Sequence, residues 1–228
     1  MDVVVKLETI QKQIHDSCMK VARNPDEVKI IGVTKYVSIE RAAEALEAGI
    51  VHLGENRDEG LIEKWQVLQD KPVWHYIGSL QTRKVKNIIN QVEYIHSLDR
   101  LSLAEEINKR ANKKVKCLVQ VNVSGEESKH GLAPVEVIRF IESIKSLENV
   151  YVVGLMTMAP FTDDEKTLRE CFKKLAEIRS EVQALHLQNA PCTELSMGMS
   201  NDFNIAIEEG ATMVRIGTAL VGYDDEEV

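Results

Sequence analysis

The sequence predicts an α/β fold, a single (β/α)8 barrel that takes up residues 1–228 as one domain with an extra N-terminal helix. Eight short apolar runs, most of them rich in β-branched residues, alternate with amphipathic segments, the order that gives a closed parallel barrel. Several runs are almost continuously apolar, as strands buried on both faces are. The turn after the first run, VTKYVS, lacks the glycines of a doubly wound dinucleotide-binding sheet.

The runs are Val28–Lys35, Ile50–Leu53, Val73–Ile77, Val92–Ser97, Val115–Val121, Val150–Leu155, Glu194–Met197 and Met213–Ile216. Ahead of the first, Leu7, Ile10, Ile14, Cys18 and Val21 mark one face of a helix. Ile39, Ala42, Ala43 and Leu46 follow at helical spacing, with Ser38 placed to cap the start and Gly49 to stop the end. The same spacing recurs at Val85, Ile88 and Ile89, at Leu101, Ala104 and Ile107, and at Val137, Ile138, Ile141 and Ile144. A long helix is predicted between Asp163 and Leu185, and a shorter one from Asn201 or Asp202 to Gly210. The last helix of a full barrel is expected to be absent or very short, with the N-terminal helix covering its place.

Composition narrows the function. Apolar residues make up 44% and charged residues 28%, the proportions of a soluble globular chain. A formal net charge of −8 argues against nucleic acid or an anionic membrane as partner, yet allows one phosphate held by local amides. Cys18, Cys117, Cys171 and Cys192 are too widely spaced for a metal motif and read as reduced, buried thiols. No apolar run reaches membrane-spanning length, so the expected location is the cytoplasm.

In such a barrel the chemistry lies where the strands end. Lys35 ends the first run, and GENRDE, IGSLQ, QVNVSGEESK, GLMTM, GMSND and RIGTA follow later ones. Ser200, with Gly217 and Thr218, supplies a hydroxyl and close-approach amides after the last two strands, where barrels often hold phosphate. A lysine at a strand end is expected to be partly desolvated and nucleophilic, able to form a Schiff base with an aldehyde. An aldehyde that also carries a phosphate satisfies both features; pyridoxal 5′-phosphate (PLP) and a sugar phosphate each qualify.

The set VTKYVS, GENRDE, WHYIGSLQTRKVK, IHSLD, QVNVSGEESKHG, GLMTMAP, LSMGMSNDFNIAIEEG and RIGTALVG resembles the PLP homeostasis proteins, the YggS/PROSC family. The likeness runs from about residue 30 to residue 222 with loop order kept. It implies a fold-type-III-like PLP barrel, similar to the barrel domain of bacterial alanine racemase without its second domain. It further implies that Lys35 holds PLP as a Schiff base, and that Ser200, Gly217 and Thr218 hold the phosphate. Arg215 would face the pyridine nitrogen and Asn56 would approach the ring. Lys129 is a candidate gate or secondary contact, and Ser79, where many members have histidine, is expected to tune the pocket mouth.

Guanidinium does not give up its proton, so an arginine leaves the ring nitrogen neutral and the ring a poorer electron sink. Racemases of this type still work because they add a second acid–base group. The resemblance, without such a group here, implies a monomeric carrier with little or no turnover, PLP-dependent apoenzymes being its recipients. The alternatives are a PLP-dependent amino-acid racemase and a Schiff-base aldolase. A racemase needs a second base, expected to be a tyrosine, and none of Tyr36, Tyr76, Tyr94, Tyr151 and Tyr223 lies in a segment that supplies it. Lys84 and Lys86 read as a solvated helix face, and Glu165, Lys166, Arg169 and Glu170 as locally paired surface charges.

Overall fold

The computed structural model describes residues 2–126 and 129–222; Tyr223 and the acidic tail Asp224–Glu227 lie outside them. Eight parallel strands close into a barrel in sequence order. They are β1 (Lys29–Val33), β2 (His52–Glu55), β3 (Val73–Tyr76), β4 (Tyr94–Leu98), β5 (Val115–Gln120), β6 (Val150–Met156), β7 (Glu194–Met199) and β8 (Met213–Ile216). Each overlaps its predicted run, because a short apolar segment bounded by polar turns has few other ways to bury both faces. Closure comes from β1 pairing with both β2 and β8, Ile31 facing His52 on one side and Arg215 on the other.

Around the barrel lie α1 (Val3–Lys20), α2 (Ile39–Glu47), α3 (Asp58–Leu68), α4 (Val85–Ile88), α5 (Leu101–Arg110), α6 (Val137–Ser143), α7 (Glu165–Gln183), α8 (Phe203–Glu208) and α9 (Thr218–Val221). Ser38 caps α2, its Oγ accepting from Arg41 N at 3.1 Å, and Gly49 ends the turn that follows with φ +106°. The last helix, α9, is one short turn. Beside it α1 buries Val3, Leu7, Ile10, Ile14 and Cys18 against α8 and α9, filling the place of a full eighth helix.

One helix was not expected. Over α3 the buried face consists of Asp58, Leu61, Lys64 and Leu68, so two ionisable residues interrupt the apolar stripe. Leu61, Trp65 and Leu68 keep helical spacing and were the available signal.

The main core lies between strands and helices. Inside the barrel a smaller cluster of Ile31, Tyr94, Leu118, Val153, Met156 and Met213 packs beside buried His75, His96, Ser196 and Arg215. All four cysteines are free and buried, as expected. Among the described residues no helix is long and apolar enough to cross a membrane.

Candidate functional site

The expected site residues gather at the C-terminal ends of four neighbouring strands, β7, β8, β1 and β2. Arg215 is the third residue of β8, and alternation turns its side chain into the barrel. Its Nη1 donates to Ser196 Oγ at 2.6 Å and its Nη2 to the Thr157 carbonyl at 2.9 Å. Burial pulls its pKa down to about 10, against the opposing charge of Asp202, so it stays a cation at neutral pH. The rest of its five-donor fork has no partner among the described residues.

Lys35 stands two residues past β1 and is exposed, which corrects the expected desolvation. The reason is the turn it occupies: Thr34 and Val37 take the buried positions, and Tyr36 adopts a left-handed φ of +67°. That conformation is uncommon for a residue other than glycine, although Ala22, Gln69, His186 and Cys192 also adopt it. Lys35 Nζ lies 5.4 Å from the Tyr36 ring centroid, with Arg57 Cζ 5.8 Å away on the same ring. Among the described residues its amine makes no hydrogen bond or ion pair.

Behind Lys35 lies a buried support that no sequence motif marks. Thr34 Oγ1 donates to Glu55 Oε1 at 2.6 Å, and Lys64 Nζ pairs with the same oxygen at 3.1 Å. Glu55 and Lys64 are both buried; the Thr34 bond ties the β1 end to β2, and the Lys64 pair ties β2 to α3. Lys64→Met is expected to leave the carboxylate uncompensated and cost about 3–5 kcal/mol, read as a lower urea midpoint. An unchanged midpoint would show that the pair is not needed.

Asn56 follows Glu55, and its backbone is gripped by the β3 turn. A Cβ on Gly78 would sit 2.2 Å from the Asn56 carbonyl oxygen, so only glycine fits. Gly78→Ala is expected to displace the Asn56 turn at a cost of about 1–3 kcal/mol in the same unfolding measurement. Next to it lies a cavity of about 400 Å³ lined in part by Asn56, Tyr76, Ser79 and Lys84, which places Ser79 at a pocket wall.

Lys84 is not the solvated residue expected. It pairs with Asp58 and with Glu59, the latter at 2.9 Å, joining the start of α3 to the segment before α4. Burial pushes Asp58 up, but its bonds from Lys84 and Asn87 outweigh this and hold it at about 2. Burial also raises Tyr76 to about 12, so it is a neutral phenol.

At the β7 and β8 ends the phosphate candidates differ in role. Gly198 holds φ +91°, and a Cβ there would come within 2.6 Å of Ala206. The turn is closed by the Met199 N–H donating to the buried Asp202 carboxylate, and Ser200 is left half-buried. Gly217 opens α9, and no side chain caps that helix start. Lys129 pairs with Glu126 at 2.8 Å and reaches the Met158 carbonyl at 3.4 Å, bridging the loops after β5 and β6. Arg169 does more than pair locally with Glu165: it also ties α7 to Glu208 and to Glu209, the latter at 2.9 Å.

An exposed unpaired amine, a hydroxyl, an uncapped helix start and a buried cationic fork suit a small phosphoester bearing a carbonyl. The family model of the alanine racemase N-terminal domain matches residues 5–225. A pyridoxal phosphate homeostasis protein of Aquifex aeolicus is 42% identical over 97% of this chain and 98% of its own. The chain belongs to the pyridoxal phosphate homeostasis proteins, within the alanine racemase N-terminal domain family. Another structure similar to this homeostasis-family barrel is PipY of Synechococcus elongatus with PLP bound. It has a TM-score of 0.83 and 29% identity, covering 96% of this chain and all of that one (100%). Alanine racemase of Clostridium difficile shares the fold, with a TM-score of 0.78 at 16% identity, and this chain spans 58% of it.

Proposed function

We propose that the chain binds PLP and serves its homeostasis, the barrel acting as a single cofactor-holding domain. The observation that carries this is the pairing of an unpartnered Lys35 amine with a buried Arg215 on the adjacent strand. Lys35 would attach the cofactor, Ser200 with the amides of Gly217 and Thr218 would take its phosphate, and Asn56 would border the ring. Bound PLP supplies a reactive aldehyde on an aromatic ring. Arg215 would face the ring nitrogen and keep its own proton, which leaves that nitrogen neutral. Exposure keeps Lys35 open to exchange, which suits reversible holding and hand-over to PLP-dependent apoenzymes in the cytoplasm by a monomer.

A racemase reading is less supported. Of the tyrosines among the described residues, Tyr76 and Tyr94 are buried and Tyr36 lies on the same turn as Lys35. Tyr151 is the second residue of β6, at the N-terminal end of the strand and away from the strand ends that carry Lys35, so none stands opposite that amine as a second base. The deciding experiment is the absorption spectrum of the purified protein with PLP, before and after borohydride, with mass mapping. A cofactor mass on Lys35 is expected; a colourless protein, or the mass on another lysine, would overturn the assignment.

A further inference from the structure

Five side chains cross the barrel interior in one hydrogen-bonded line. Arg215 Nη1 donates to Ser196 Oγ, which lies 2.9 Å from His96 Nδ1. His96 Nε2 is 2.8 Å from His75 Nδ1, and His75 Nε2 is 2.9 Å from His52 Nδ1. The line passes through β8, β7, β4, β3 and β2, each histidine lying two register positions nearer the C-terminal strand ends than the one before, counted from His52. Ser196, His96 and His75 are fully buried, and His52 is the half-buried outer end.

The direction of the line follows from counting donors. A neutral imidazole has one N–H and one lone pair, so fixing one ring in a row fixes the others. Ser196 already accepts from Arg215, and its other partner among the described residues is His96. Its hydroxyl hydrogen therefore goes to His96 Nδ1. His96 Nε2–H then donates to His75 Nδ1, and His75 Nε2–H donates to His52 Nδ1. The reverse order would aim two N–H groups at one oxygen and leave a buried hydroxyl hydrogen without an acceptor.

The surroundings keep the rings neutral. His52 is faced by Lys29 from β1, by Glu194 from β7 that pairs with Lys29, and by Lys116 from β5. Lys116 pairs with Glu93 and lies 4.9 Å over the Tyr94 ring of β4, which stacks on His75 at 4.3 Å. His96 is faced by Arg215. Burial first, and then the cations at both ends, oppose an added proton anywhere along the row.

We propose that His96, His75 and His52 form a positioning relay that locks Ser196 as an acceptor for Arg215 and so holds the guanidinium charged and aimed at the ligand. All N–H groups in the row point away from Arg215, so the aligned dipoles present their negative ends to its charge and reinforce one another. The use made of this charge rests on the reading that Arg215 faces the ring nitrogen of PLP.

The test uses PLP-free protein, so it separates from the test of PLP binding. Nitrogen-15 NMR of labelled histidines at pH 7.5 is expected to show His96, His75 and His52 all as Nε2–H tautomers. A Nδ1–H tautomer or an imidazolium at His75 or His96 would overturn the relay. In His96→Phe, hydrogen exchange of the Arg215 guanidinium is expected to quicken roughly tenfold, with recovery in His96→Asn, whose amide oxygen can again accept from Ser196. Unchanged exchange in a cooperatively folded His96→Phe protein would also overturn it. If that variant does not fold, the wild-type tautomers decide. Protein that shows the tautomers yet binds no PLP supports the relay and sinks the proposed function.

Discussion

Lys35→Ala is expected to abolish covalent PLP attachment while leaving the fold intact. The lysine is exposed and its amine bonds to no described residue, so its loss should move stability by no more than about 0.5 kcal/mol. Ligand binding raises stability by about 2.7 kcal/mol at 100 times the dissociation constant. Melting curves with and without PLP then separate the two roles. Wild-type protein should melt higher with PLP, and Lys35→Ala should lose its colour and bind at least about tenfold more weakly, near 1.4 kcal/mol. A variant that keeps its colour and its full PLP-dependent shift would remove Lys35 from the site. The supports behind it predict the opposite pattern: Lys64→Met should cost stability first and binding second.

The second large effect is acid sensitivity. Burial holds His75 and His96 well below the ordinary imidazole value of 6.5, and neighbouring charges add to this, His96 acting on His75 and Arg215 on His96. The unfolded chain therefore binds more protons than the folded one below pH 6.5, and stability falls as the pH drops through that value. Each ring that stays neutral contributes a slope approaching about 1.4 kcal/mol per pH unit, so the two together approach twice that. Asp202, raised by burial, works in the opposite sense but is a single group. Carboxylates held low by ion pairs, such as Asp58, keep their contribution until far more acid pH. Urea midpoints at several pH values between 8 and 5 measure this, and a midpoint that stays flat from 6.5 to 5 would contradict the neutral-histidine interior.

Much of the fold was legible because each strand is a short apolar run between polar turns. Helix α3 was not, since burying Asp58 and Lys64 in ion pairs interrupts the apolar stripe and leaves only Leu61, Trp65 and Leu68 at helical spacing. Lys35 and Arg215 could be named from the residues that carry the resemblance, but their settings could not. Lys35 was expected to be desolvated and is exposed, because the burial of Thr34 and Val37 turns the chain outward there. Lys84 looked like a surface charge until α3 brought Asp58 and Glu59 beside it.

By itself the sequence determined the strand order, the amphipathic helices and the residue types at the strand ends, since these depend on spacing along one chain. The histidine row was decided only by the tertiary structure. VHL, WHY and IHS each place one histidine in a strand, and the bonded rings are 23 and 21 residues apart. Whether those rings meet depends on inward phase and on stagger between neighbouring strands, which barrel closure sets and no local pattern records.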